Sequence, residues 1–287
     1  MSRYDFAAQR LYVDAPLGRG ARIALSREQA NYLLNVLRLG AGDSVIVFNG
    51  RDGEWRAALA DTGRKSASLD IEEALRAQEA GPDLDYLFAP LKHARLDYMV
   101  QKAVEMGAAR LRPVLTRRTQ AQRVNTERMR ANVIEAAEQC GILTLPQIEE
   151  PRPLEKALAE WPQDRLLIFC DEDAPMADAV AALRARAQPG APLAVLIGPE
   201  GGFDPSERAM LMGMGQTLAI SLGPRILRAD TAAVAALAVV LAAVATVPAV
   251  EAVAVQAAVL VVAAAVTAAK SQKSSIYIAV LLREKRA

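Results

Sequence analysis

From Tyr86 to about Asp230 the chain alternates short apolar runs with helix-like segments, and no other feature restricts its fold as much. The runs "DYLFAPL", "RLRPVLT", "RLLIFCDED", "PLAVLIG" and "TLAISLG" have the length and residue types of strands. Helical spacing marks "LDYMVQKAVEMG", "TERMRANVIEAAEQCG", "MADAVAALRARA", "DPSERAMLMGMG" and an apolar segment from about Asp230. Strands separated by helices are too far apart in sequence for hairpins, so the pattern predicts an α/β domain on a mostly parallel sheet. Ligands of such sheets bind outside the carboxyl ends of the strands.

The residues before this region read differently. "RLYVDA", "ARIAL", "SVIVFNG", "EWRAALADT" and "SASLDIEE" alternate in period two, with Gly40, Gly42, Asp43, Asn49, Gly50, Asp52 and Gly53 at the turns. They predict a small β-barrel holding one helix over "SREQANYLLNVLRL", N-capped by Ser26. The stretch "EAGPDLD" separates the two regions, so we expect units at 1–78 and 79–248, followed by an atypical apolar extension at 249–287.

At 287 residues the chain can bury two cores. Its 34 basic and 33 acidic residues leave a net charge of +1, so any nucleic-acid surface must be local. Cys140 and Cys170 are isolated and the single histidine, His93, has no ligand-like neighbour. This predicts no metal site, no disulfide and a reducing, cytoplasmic setting. "MSRYDFAAQRLYVDAP" lacks the apolar segment of a secretory signal. The uncharged stretches 232–250 and 252–269 approach membrane-span length. Their alanine content, with Pro248 and Glu251 as interruptions, favours a buried helix, and no membrane association is expected.

Two loops at strand ends carry the chemistry: "GPEGG" over Gly198–Gly202 and "SLGPRILRADT" over Ser221–Thr231. Glycine admits close backbone approach while Pro199 and Pro224 fix loop shape, so together the loops can wall a cleft with backbone amides. Phosphate loops do not fit: there is no Walker pattern, and "GMGQTL" follows a helix and precedes a strand, the reverse of a dinucleotide fingerprint. The carboxylate of Glu200 also repels phosphate, and better suits hydroxyls, an amine or a cationic centre. A capping role for Glu200 on the following helix is the alternative.

These loops resemble the signature of the bacterial 16S ribosomal RNA uridine N3-methyltransferases of the SPOUT superfamily. "QRLYV", "YLLNVLRLGAGD", "KHARLDYMVQKAVEMGA" and "EAAEQCG" fall in that family's order and spacing, and the resemblance covers about Gln9 to Leu241. It implies a PUA-like RNA-binding barrel, a SPOUT domain with a trefoil knot, a homodimer, and S-adenosyl-L-methionine as cofactor. The substrate it implies is 16S rRNA in the 30S subunit or its late precursor. Another SPOUT activity on a ribose 2′-hydroxyl or a different base, or an RNA-binding relative without catalysis, are the alternatives.

Carried onto this chain, the cofactor cleft comprises Ile197, Gly198, Pro199, Glu200, Gly201, Gly202, Leu222, Gly223, Ile226, Leu227 and Arg228. Methylation requires the N3 proton to leave and the uracil anion to be stabilised, which points to Asp230 as base and Arg228 as cation. Asp230 or Thr231 as a helix cap is the alternative. RNA contacts are expected at Arg10, Asn35, Arg38, Lys92 and Lys102, with a local Lys102–Glu105 pair as the competing reading. The chain departs from the family at Asn31 and Ile142, and Ala229-Asp230-Thr231 replaces Thr-Glu-Thr.

Overall fold

The structure, a computed structural model, describes residues 8–244 apart from 64–65, 93, 122, 175–177 and 189. The expectations for His93 and the 249–287 extension therefore lie outside the described residues.

The first unit is a five-stranded sheet of β1 (Arg10–Tyr12), β2 (Arg22–Ala24), β3 (Ser44–Phe48), β4 (Glu54–Ala60) and β5 (Ser68–Arg76), in the order β1-β3-β4-β5-β2. Only the β1–β3 pair is parallel. Its core gathers the inward residues of that alternation, Val45, Val47, Ala57, Leu59, Leu69 and Ile71, around Leu33. The predicted helix is shorter and changes type. Ser26 caps α1 (Arg27–Asn31) in a reciprocal box with Gln29, and the chain then widens into a π-helical turn over Tyr32–Val36. The Leu37 amide reaches back to the Tyr32 carbonyl at 3.0 Å, and the segment ends as Arg38 turns left-handed at φ 59. Full burial of Leu33 holds this turn in place, a tertiary contact invisible to local spacing.

The second unit has a parallel sheet ordered β12-β10-β11-β6-β7-β8, with β6 (Leu84–Phe88), β7 (Arg110–Leu115), β8 (Gln147–Ile148), β10 (Leu166–Cys170), β11 (Leu193–Ile197) and β12 (Thr217–Ile220). A short β9 (Arg152–Pro153) pairs with the end of β7. Period two sorts the strand residues to two faces. Tyr86, Phe88, Ile168, Val195 and Ile197 meet α2 (Ala94–Glu105), α3 (Thr126–Cys140), α5 (Ala179–Arg186) and α7 (Ala229–Val244). Leu87, Leu167, Phe169 and Leu196 meet α4 (Leu154–Ala159), Trp161 and α6 (Pro205–Gly213). Each large side chain buried this way contributes roughly 1.5–3 kcal/mol. The sheet is thus covered on both sides, as continuous apolar strands require.

α7 accounts for the first part of the alanine-rich stretch. Ala233, Ala236, Leu237 and Val240 are buried in the main core, as expected of a buried helix. Among the described residues no helix is long and apolar enough to cross a membrane.

The two units share a joint. Tyr12 and Phe48 pack with Ala137 and Leu143 of the second unit. The outer edge of β1 is satisfied there, because Tyr12 N donates to the Glu138 carboxylate at 2.8 Å. Burial pushes that carboxylate's pKa up, more than the Tyr12 hydrogen bond lowers it.

Candidate functional site

β11, β10 and β12 lie side by side and in parallel, so their carboxyl ends, Ile197, Cys170 and Ile220, open on one edge of the sheet. The loops leaving them enclose a cleft of about 410 Å³. Ile197, Gly198, Pro199, Glu200, Gly202, Leu222, Gly223, Ile226, Leu227 and Arg228 all line it, so the structure brings the two expected loops together. Gly201 and Asp230 are not among the lining residues.

The glycines of the first loop make room for the protein itself. A Cβ on Gly198 would stand 2.4 Å from Cε2 of Phe203, whose ring covers that position and meets Phe169 edge-on at 5.1 Å. Gly202 is left-handed at φ 69, and a Cβ there would lie 2.9 Å from the Glu172 carboxylate. Gly201 instead accepts a hydrogen bond on its carbonyl from Arg118 at 2.8 Å.

A third wall was missed by sequence reasoning: Cys170, Asp171, Glu172 and Asp173, from the end of β10. The run "CDED" after a buried strand is the signal that could have revealed it. Asp171 is committed to Arg208, its carboxylate 2.8 Å from the guanidinium. The side chains of Glu172 and Asp173 are exposed into the cleft and form no ion pair among the described residues, leaving an acidic wall. Burial pushes the Cys170 thiol up to about 12, so this residue faces the cleft as a neutral group.

Glu200 does not cap α6. Asp204 caps it, accepting from Ser206 N, with Glu207 closing the reciprocal box. Glu200 pairs instead with Arg95 of α2. The same guanidinium donates through Nε to Asp230 at 3.1 Å, and the other Asp230 oxygen accepts from Thr231 N at 2.9 Å. Hydrogen bonding from Arg95 is the main reason that the Asp230 pKa is lowered. Asp230 lies inside α7 and not at its cap. With both oxygens engaged and its basicity reduced, Asp230 is poorly suited to the base role expected of it. Arg228, by contrast, is exposed at the cleft and forms no ion pair among the described residues.

The expected RNA residues divide. Asn35 and Arg38 are exposed on the π-helical turn and just beyond it, with Asn35 donating to Asn31 at 2.9 Å. Lys92 is exposed and lines a small hollow with Arg118 and Gln120, on Pro199 and Glu200. Lys102 forms the local pair, 2.7 Å from Glu105. Arg10 requires correction: its side chain is 5% exposed and held 3.1 Å from Glu54, which Arg76 also contacts at 2.7 Å. A guanidinium so placed braces the barrel and cannot reach a surface phosphate.

Comparison with known proteins agrees with this architecture. Residues 78–241 match the family described as RNA methyltransferase domain, and residues 25–72 match RNA methyltransferase PUA domain. Ribosomal RNA small subunit methyltransferase E of Rickettsia conorii is 32% identical over 80% of this chain and 93% of its own length. The Synechocystis protein of the same name is 31% identical over 76% of this chain and 72% of its own. The structure of the Neisseria gonorrhoeae protein of that name, bound to S-adenosyl methionine, is 26% identical, with a TM-score of 0.72 over 82% of this chain and 97% of that one. The PUA-like unit, the parallel SPOUT-type knot-forming domain and the cleft at its strand ends are parts of one inheritance: the chain belongs to the ribosomal RNA small subunit methyltransferase E family of the SPOUT superfamily.

Proposed function

We propose that the protein transfers a methyl group from S-adenosyl-L-methionine to N3 of a uridine in 16S ribosomal RNA. The observation that carries this reading is the cleft at the ends of β10, β11 and β12. Its donor set fits the cofactor. Exposed Glu172 and Asp173 suit its cationic methionine end and ribose hydroxyls, while Leu222, Ile226 and Leu227 offer an apolar seat for adenine. Pro199, Gly198, Gly201, Gly202 and Gly223 shape the backbone around it, and Glu200 keeps one carboxylate edge at the cleft.

When bound, the cofactor supplies an electrophilic methyl group. The residues of the chain then have two tasks: to hold uracil N3 in line with that methyl group and to stabilise the anion left when its proton departs. Arg228, exposed at the cleft and in no ion pair among the described residues, is the cation placed for the second task. The low pKa of Asp230 argues for a supporting part rather than for proton abstraction. RNA is held, on this reading, by Asn35, Arg38 and Lys92.

The same proposal divides the chain near residue 78, places the protein in the cytoplasm with the assembling 30S subunit, and makes it a homodimer. Ile226, 90% exposed on the cleft loop, is an apolar side chain that cofactor or a partner subunit would cover. Calorimetry with S-adenosylmethionine and nucleoside mass spectrometry of treated 30S particles test the activity together. Cofactor binding with 3-methyluridine formation is the expected result; binding with a 2′-O-methyl product, or no binding, would overturn it.

A further inference from the structure

Arg95, within "KHARLDYMVQKAVEMGA", spans the two loops that build the cleft. It projects from the first turn of α2, pairs with Glu200 on the β11 loop, and donates to Asp230 at the start of α7 at 3.1 Å. These residues are far apart in sequence, 105 and 135 positions from Arg95. No described residue other than Arg95 forms an ion pair with either carboxylate. The guanidinium is planar and has its donors in a fixed fork, so binding two carboxylates also sets the distance between them. Its remaining terminal nitrogen, Nη2, is buried without a hydrogen-bond partner, although the side chain as a whole stays 33% exposed.

We propose that Arg95 is a positioning residue for the cofactor, a clamp that fixes the separation of the cleft walls by holding Glu200 and Asp230 at once. This rests on the reading of the cleft as the S-adenosylmethionine site. Glu200 lines the cleft and Asp230 does not, so the clamp transmits the position of α7 to the Gly-Pro-Glu-Gly-Gly loop. Arg228 is two residues before Asp230 and Ala229 one, and both line the cleft. Anchoring Asp230 therefore anchors the stem of the residue proposed to meet the uracil anion. Pairing Glu200 with Arg95 also leaves Glu172 and Asp173 as the cleft carboxylates outside any ion pair among the described residues.

The distinguishing variant is Asp230→Asn, because a base and a clamp anchor fail differently. A clamp anchor lost away from the cleft weakens cofactor binding by about fivefold, as expected of a coupling between two positions. A lost base would lower turnover while leaving cofactor affinity intact. Isothermal calorimetry with S-adenosylmethionine is run on the full chain, on Asp230→Asn, on Arg95→Gln and on the double variant, with thermal melts as a folding control. We expect both single variants to bind the cofactor more weakly and the double variant to bind no worse than Arg95→Gln. Unchanged affinity in Asp230→Asn, or losses that add in the double variant, would overturn the clamp. If Arg95→Gln fails to fold, Arg95→Lys replaces it: one ammonium cannot hold both carboxylates in the forked geometry, so weakened binding is again expected and wild-type affinity overturns the proposal. Failure of the unaltered chain to bind the cofactor would instead sink the functional reading itself.

Discussion

Phe203 lies across Gly198 so closely that the ring occupies the place of a side chain the glycine lacks. Replacing Gly198 by alanine puts a methyl group 2.4 Å from Cε2 and 2.9 Å from both Cδ2 and Cζ. The ring must leave its edge-on contact with Phe169, which belongs to the core beneath the cleft. We expect Gly198→Ala to cost about 1–3 kcal/mol in denaturant unfolding, the usual range for overpacking, and to weaken cofactor binding. Gly198→Ala combined with Phe203→Leu should recover part of the stability; no recovery would mean that the ring is not the obstacle.

Arg10 and Glu54 provide a second test, which separates bracing from RNA recognition. Both side chains are buried, at 5% and 3% exposure, and removing Arg10 leaves Glu54 with Arg76 as its remaining guanidinium partner. Breaking a buried pair outright typically costs about 3–5 kcal/mol. Arg10→Ala should therefore lower unfolding stability, by less than that range because Arg76 stays in place. The salt dependence of RNA binding, measured well below the melting temperature, should keep the slope of the unaltered protein. A reduced slope would restore Arg10 to the RNA face.

Glu138 makes the domain joint sensitive to pH in a stated direction. Its pKa in the folded protein is raised by burial above the ordinary glutamate value, with Glu135 adding to the effect. A raised carboxyl contributes stability below its unfolded pKa, and that contribution is lost as pH rises through the folded value. Once that carboxyl ionises, the joint holds a partly buried charge at some cost. Glu138→Gln can keep an oxygen acceptor for Tyr12 N without that charge. Melting curves should show it at least as stable as the unaltered protein at pH 7, with any advantage shrinking toward pH 4. Glu138→Ala should be less stable at both, because Tyr12 N loses its acceptor.

Cys170 borders the cleft but is chemically quiet. With its thiol raised to about 12, the thiolate fraction at pH 8 is on the order of one in ten thousand. Iodoacetamide at that pH should leave Cys170 unmodified in the folded protein and alkylate it only after denaturation, as read by peptide mass spectrometry. Rapid labelling of native Cys170 would mean that the cleft opens to a different arrangement.

Strand alternation makes most of the α/β unit legible in the sequence, because residues such as Leu87 and Phe88 point to opposite faces in strict succession and both faces are apolar. β8, β9 and α4 escaped because two-residue strands and a single short helix have no period to read. The π-helical turn escaped for another reason: it depends on how deeply Leu33 sinks into the barrel. At the cleft, the two glycine loops announced themselves, but their partners did not. Arg95 looks like any charged residue opening a helix, and only the folded sheet brings it to Glu200 and Asp230. Arg10 misled in the opposite sense, since a lone arginine in a strand carries no mark of the buried carboxylate opposite it.

The sheet order has a consequence for synthesis. The barrel strands are complete by Arg76, while the cleft needs β10, β11, β12 and the first turn of α7, which packs last between α2 and α5. Because β11 must slot between β6 and β10, and β12 must return outside β10, contacts distant in sequence have to form late. A chain still emerging from the ribosome thus has its barrel strands, and the α3 residues that cover Tyr12 and Phe48, long before Asp230 arrives to meet Arg95. During that interval the cleft is incomplete, because Arg228 and Ala229, which line it, and Asp230, which meets Arg95, come with the start of α7.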